Sequence, residues 1–194
     1  MNFQNTPVTT TNPKDPISPE AFWAEFSKAL RQRWNLEEVD SFWFNDWPKR
    51  TVLMTDVVEK LAITFDCHCQ CEYRKYDVCY FDHSANGDWN EWSLEAAIEI
   101  ENKDSWPDEV SKLMEINAGL KVLIAYVDNQ KILDEFWERL PKIYLSRKYV
   151  TKPCNWLFIF GFFGKPDWDF IAYKFDGEKE TKISDNVRIR PWQA

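Results

Sequence analysis

Glu99 and Glu101 lie two residues apart in Ala96-Ala97-Ile98-Glu99-Ile100-Glu101-Asn102-Lys103, within otherwise apolar sequence. On a strand, alternation sends Ile98 and Ile100 to one face and both glutamates to the other. Their Cβ atoms are then about 7 Å apart. In apolar surroundings two such carboxylates repel, and at least one resists ionising unless a cation stands between them. A divalent cation removes that difficulty, and hard oxygen ligands suit Mg²⁺. The plainer alternative is a half-exposed strand whose glutamates face water. A third acid, Asp77, sits in Tyr76-Asp77-Val78-Cys79-Tyr80-Phe81, a charge within an aromatic strand expected beside that of Glu99. Asp77 either forms a salt bridge to Arg74 or Lys75, or joins Glu99 and Glu101 around one metal. A metal held there would polarise a phosphate and activate a water.

These acids need strands to carry them, and the pattern supplies the strands. Residues 1–17 are polar and Thr/Asn/Pro-rich, which predicts a flexible arm followed by a single domain over 18–194. Ser18, Pro19 and Glu20 predict a helix start, with the helix reaching Trp34. A second helix is expected from Pro48 to about Ala62, on Val52, Val57, Val58 and Leu61. Ile63–Cys71 and Tyr73–Phe81 read as strands turning at Arg74-Lys75, and Leu94–Glu101 as a third, making an antiparallel meander. The polar segment His83–Glu91 contains the turn signal Asn86-Gly87.

The period then changes. Ser105-Trp106-Pro107-Asp108 resembles a capping box, and Val110, Leu113, Met114 and Asn117 share a helical face. Gly119 ends that helix, and Lys121–Val127 is a continuous apolar run typical of a strand covered on both faces. Strand, helix and strand in that order imply a right-handed parallel crossover. A helix over 130–148, on Ile132, Phe136, Leu140 and Tyr144, and strands at Trp156–Phe163 and Trp168–Phe175 complete an α/β fold with a mixed sheet flanked by helices.

The chain has 194 residues, 44% hydrophobic and 29% charged, the balance of one globular domain. Its longest apolar run, Trp156–Phe163, is far short of the roughly 20 residues of a membrane span, so no membrane association is expected. The first residues lack the basic and apolar regions of a signal peptide. Lys and Arg total 24 against 32 for Asp and Glu, which argues against an indiscriminate nucleic-acid binder and leaves room for an acidic metal-dependent enzyme. Five cysteines read as reduced thiols of a cytoplasmic protein. Cys67-His68-Cys69-Gln70-Cys71 has no second pair at zinc-site spacing, so its cysteines are expected on one strand face, as core, with His68 on the other. There is no Gly-rich phosphate loop and no Gly-x-Ser-x-Gly elbow, and two histidines leave little for zinc hydrolysis. Late basic residues, Lys142, Arg147, Lys148, Lys152, Arg188 and Arg190, could track phosphates or simply be the basic end of a helix.

A helix, a strand with Asp77, a strand with Glu99-x-Glu101, then a helix and an apolar strand resemble the PD-(D/E)xK nuclease superfamily over roughly Thr51–Tyr126. The resemblance implies a restriction-endonuclease-like fold and Mg²⁺- or Mn²⁺-dependent hydrolysis of phosphodiester bonds in DNA or RNA. It implies that Asp77 and Glu99 hold the metal and that Glu101, where the usual pattern has Lys, completes the site or orients the attacking water. The missing lysine has two replacements, Lys103 and Lys112, of which Lys112 on the following helix is preferred for stabilising charge on the phosphate. Glu59 could add an outer acid or be a surface charge. The rival expectation is a non-catalytic subunit or inhibitor that keeps such a fold and binds a protein partner through Trp89, Trp92 and Trp106.

Overall fold

The computed structural model describes residues 15–36, 47–82, 93–101, 105–146, 155–162, 168–183 and 186–189. Ser18 Oγ accepts the Ala21 N–H at 3.1 Å, and α1 (Pro19–Leu36) starts where Ser-Pro-Glu predicts. Just before it Ile17, expected in the arm, is buried in the core. Helix α2 (Trp47–Thr64) buries Leu53, Met54, Val57, Val58, Leu61 and Ala62. It continues past Ala62, so Ile63, expected to open a strand, is helical and 81% exposed.

After a turn at residues 65–66, β1 (Cys67–Tyr73), β2 (Tyr76–Asp82) and β3 (Leu94–Glu101) form the expected antiparallel meander. Arg74-Lys75 is the turn between the first two, with Arg74 at φ 59. Helix α3 (Trp106–Glu115) carries the chain to β4 (Leu120–Val127), which pairs with β3 in parallel. Helix α4 (Gln130–Ser146) leads to β5 (Asn155–Phe162), again parallel. Strand β6 (Trp168–Phe175) returns antiparallel to β5, and the short β7 (Glu180–Lys182) and β8 (Val187–Ile189) both pair with β6. The result is one eight-stranded mixed sheet in the order β1-β2-β3-β4-β5-β6-β7, with β8 also on β6.

Both faces of the sheet are covered, as the apolar run of β4 requires: all eight of its residues are buried. On one face α1 and α2 pack against Val78, Tyr80, Ile98, Val122, Ile124 and their neighbours. On the other, α3 and α4 pack against Cys79, Ala97, Leu123, Ala125, Phe158 and Phe160. Ser105 opens α3 without the side-chain cap that its sequence suggests. Its backbone is already helical (φ −99, ψ −3), so its carbonyl rather than its hydroxyl takes the Asp108 N–H, at 3.0 Å. On α4 the buried stripe is Leu133, Phe136 and Leu140, and the expected Ile132 and Tyr144 pack beside it partly buried. The His83–Glu91 turn, Trp89 and Trp92 lie outside the described residues. Among the described residues no helix is long and apolar enough to cross a membrane.

The aromatic richness of the chain is spent here. Phe136 is ringed by Trp106 at 4.2 Å, Trp137 and Phe160 at 4.9 Å and Phe158 at 5.2 Å between centroids. Trp106, expected on an exposed binding patch, is therefore a core residue, with the Arg139 guanidinium 5.1 Å over its ring. Phe136→Ala should lower unfolding stability by about 3–5 kcal/mol in urea titration. A loss below about 1 kcal/mol would mean that these rings do not form the core of this face.

Candidate functional site

The acid-bearing strands meet on the α3 face of the sheet. The β2–β3 ladder ends at Val78 opposite Ile98, so the next step in register sets Asp77 against Glu99. Asp77 Oδ2 accepts the Ile100 N–H at 2.8 Å, a side chain taking the place of a ladder carbonyl where the strands stop pairing. The alternative of a salt bridge from Asp77 to Arg74 or Lys75 is not formed among the described residues: Lys75 Nζ pairs with Glu115 Oε2 at 2.5 Å, and the Arg74 guanidinium stands over the Tyr73 ring. Nor is the Glu99 side of the strand solvated. Glu99 is 1% exposed, whereas Glu101, at the end of β3, is half-buried.

Helix α3 closes over Glu99 and brings Lys112 with it. Lys112 Nζ lies 3.2 Å from Glu99 Oε1 and forms a closer ion pair with Glu109 Oε2, one turn back on the same helix. It also donates to the Lys75 carbonyl at 3.2 Å, and the Tyr76 hydroxyl donates to the Lys112 carbonyl at 3.1 Å. The preferred lysine thus reaches the first expected metal ligand. The other candidate, Lys103, lies outside the described residues. Glu109, itself buried, has no place in the sequence reading. Its one signal was its spacing of three from Lys112 on the helix.

Electrostatics follow from two carboxyls sharing one ammonium, with the Asp77 charge beside them. Burial pushes Glu99 up to about 9, helped by the Asp77 and Glu109 charges and opposed by Lys112. Burial works against the charge of Lys112, yet the Glu109 and Glu99 carboxylates outweigh it and raise its pKa above the ordinary lysine value. Glu99 Oε1 and Glu109 Oε2 are buried and reach the ammonium as ion pairs without hydrogen-bond alignment. Among the described residues no group of three or more His, Cys, Asp and Glu side chains is arranged to hold a metal ion.

The remaining candidates lie elsewhere. Glu59 is exposed on α2, across the sheet from this cluster, and its charge bears on Cys69 and Cys71 instead. Those cysteines and Cys67 pack on the α2 side, and His68 is exposed. Burial, then the neighbouring Cys71 and Glu59, pushes the Cys69 thiol up to about 12, which keeps it protonated as a core thiol. Arg188 forms a salt bridge with Asp169 at 2.9 Å, Lys142 is exposed on α4, and the other late basic residues lie outside the described ones. Comparison with protein-family models gives no match, and neither does comparison with curated proteins.

A carboxyl whose native pKa stands above its unfolded value near 4.5 contributes most below that pH and loses its contribution as pH rises towards about 9. Wild type should therefore lose stability between pH 5 and 9 relative to Glu99→Gln, which mimics the protonated acid. The limiting slope is about 1.4 kcal/mol per pH unit for one proton. Thermal melts of both proteins in EDTA across this range measure it, and parallel curves would show that Glu99 is already ionised in the native state.

Proposed function

We propose that the chain is a metal-dependent phosphodiesterase of the PD-(D/E)xK type, a nuclease acting on DNA or RNA. The observation that carries this reading is the approach of Lys112 Nζ to 3.2 Å from Glu99 Oε1, with Asp77 opposite in register. The order α2–β1–β2–β3–α3–β4, with an antiparallel meander feeding a parallel crossover, supports the restriction-endonuclease-like fold that the resemblance implies.

The side chains suit a hard cation chemically: Asp77, Glu99 and Glu101 offer oxygen alone. Mg²⁺ commonly takes one or two carboxylates and fills the rest of its shell with water and substrate phosphate, so it needs no three-residue cage. Glu99 Oε1, buried without an aligned hydrogen bond, has a lone pair to give. A cation held by Asp77 and Glu99, with Glu101 completing the set, would supply Lewis-acid polarisation of the phosphate and a more acidic water. Lys112 brings a fixed positive charge for the pentavalent phosphate, and Glu109 holds that ammonium in place.

A second reading has its own support. Glu99 is 1% exposed and lies 3.2 Å from Lys112, and its raised pKa lets a proton rather than a divalent cation accompany its burial. On that reading the chain keeps the architecture and acts through a protein partner.

Titration calorimetry with Mg²⁺ and Mn²⁺, beside cleavage assays on plasmid DNA and RNA, separates the two. The nuclease reading expects cation binding and cleavage by wild type, and neither by Asp77→Ala or Glu99→Gln. Lys112→Ala should still bind the cation but cleave about 10²- to 10³-fold more slowly. No binding by wild type, or equal binding by Asp77→Ala, would leave the partner reading.

A further inference from the structure

We propose that the cleft between the β1–β2 hairpin and the C-terminal end of α3 seats an unpaired nucleotide, so that the substrate is single-stranded nucleic acid. The inference rests on the phosphodiesterase reading above. The cleft has a volume of about 660 Å³ and is lined by the hairpin, by Phe81 and Leu94, and by Glu115 to Asn117. That volume falls in the range of about 300–1,000 Å³ typical of sites for one small ligand. It has room for one base and its sugar and is compact beside the extended surface that follows a duplex.

Its chemistry fits a nucleotide. Tyr73 and Phe81 meet edge to face at 5.1 Å and form an aromatic wall. The Arg74 guanidinium stands 5.4 Å over the Tyr73 ring, at a hairpin tip fixed by the positive φ of Arg74. With the guanidinium over the ring, the Arg74–Tyr73 pair offers a planar cation on which a base can stack and which can contact its phosphate. Glu115, the acid in the cleft, is neutralised by Lys75 at 2.5 Å, so the cleft keeps the net positive charge of Arg74 on an acidic protein. Asn117 offers a donor and an acceptor to a base edge.

The cleft also adjoins the site. Lys75 and Tyr76 line it, and both hydrogen-bond to Lys112, which contacts Glu99. Because stacking reads a π-face, the cleft accepts a base of any identity.

Fluorescence anisotropy of the full chain in EDTA, with labelled oligodeoxythymidine and a duplex of equal length, tests this without cleavage. Wild type should bind the single strand more tightly than the duplex. Tyr73→Leu and Arg74→Ala should each weaken that binding by about tenfold, the loss expected for one stacked base, and Arg74→Ala should do so with an unchanged melting temperature. Arg74→Ala should also lower the salt dependence by about one phosphate contact. Equal binding by the variants, preference for duplex, or no binding by wild type would each overturn the cleft. The cation titration decides the catalytic reading separately, so duplex cleavage by a chain that binds cations would sink the single-strand proposal alone.

Discussion

The Lys112 ammonium answers to three groups at once: Glu99 on the central sheet, Glu109 on its own helix and the Lys75 carbonyl at the hairpin. A carboxyl as buried as Glu99 is costly unless a positive charge or a proton accompanies it. Helix α3 brings the charge, the raised pKa of Glu99 brings the proton, and the helix's position over β3 closes the site around both. Because the Tyr76 hydroxyl binds the carbonyl of the same residue, the hairpin, helix and strand are held in mutual register. Displacing α3 would expose an uncompensated carboxyl and release the hairpin together. The parallel crossover from β3 to β4 is thus both a packing solution and the means of setting charge against charge.

The strongest patterns were legible for plain physical reasons. Lys121–Val127 has no polar alternation, so it must be covered on both faces, and a strand–helix–strand order leaves only a parallel crossover. Glu99 and Glu101 stood out because period-two geometry forces them to one face. The pairing of Asp77 with Ile100 N–H could not be read in advance, because a carboxylate replaces a backbone acceptor only where a ladder ends. Where it ends depends on register, which the sequence does not state.

Other residues were hidden by ambiguous chemistry. Glu109 looks like any acid in the first turn of a helix, a position that the dipole favours by itself. Trp106, between Ser105 and Pro107, has the neighbours of a loop residue, yet its ring packs at a tilt on Phe136 over the same face of the sheet. Ile63 is β-branched and apolar, which suggested a strand. The helix continues through it because Val57, Val58, Leu61 and Ala62 are already docked, and propagating one more turn needs no new nucleus.

The Asp77–Ile100 hydrogen bond makes one backbone amide an observer of the site. The Ile100 proton is held by a side chain that has other possible tasks, whereas its neighbours in β3 are held by strand carbonyls. Anything that draws Asp77 Oδ2 away deprives this amide of its acceptor without breaking the sheet. Its solvent-exchange rate and its proton chemical shift should then move while those of Ala97 and Ile98 stay still. The fold therefore carries a spectroscopic signal, at a single resolvable nucleus, of what its carboxylates are engaged with.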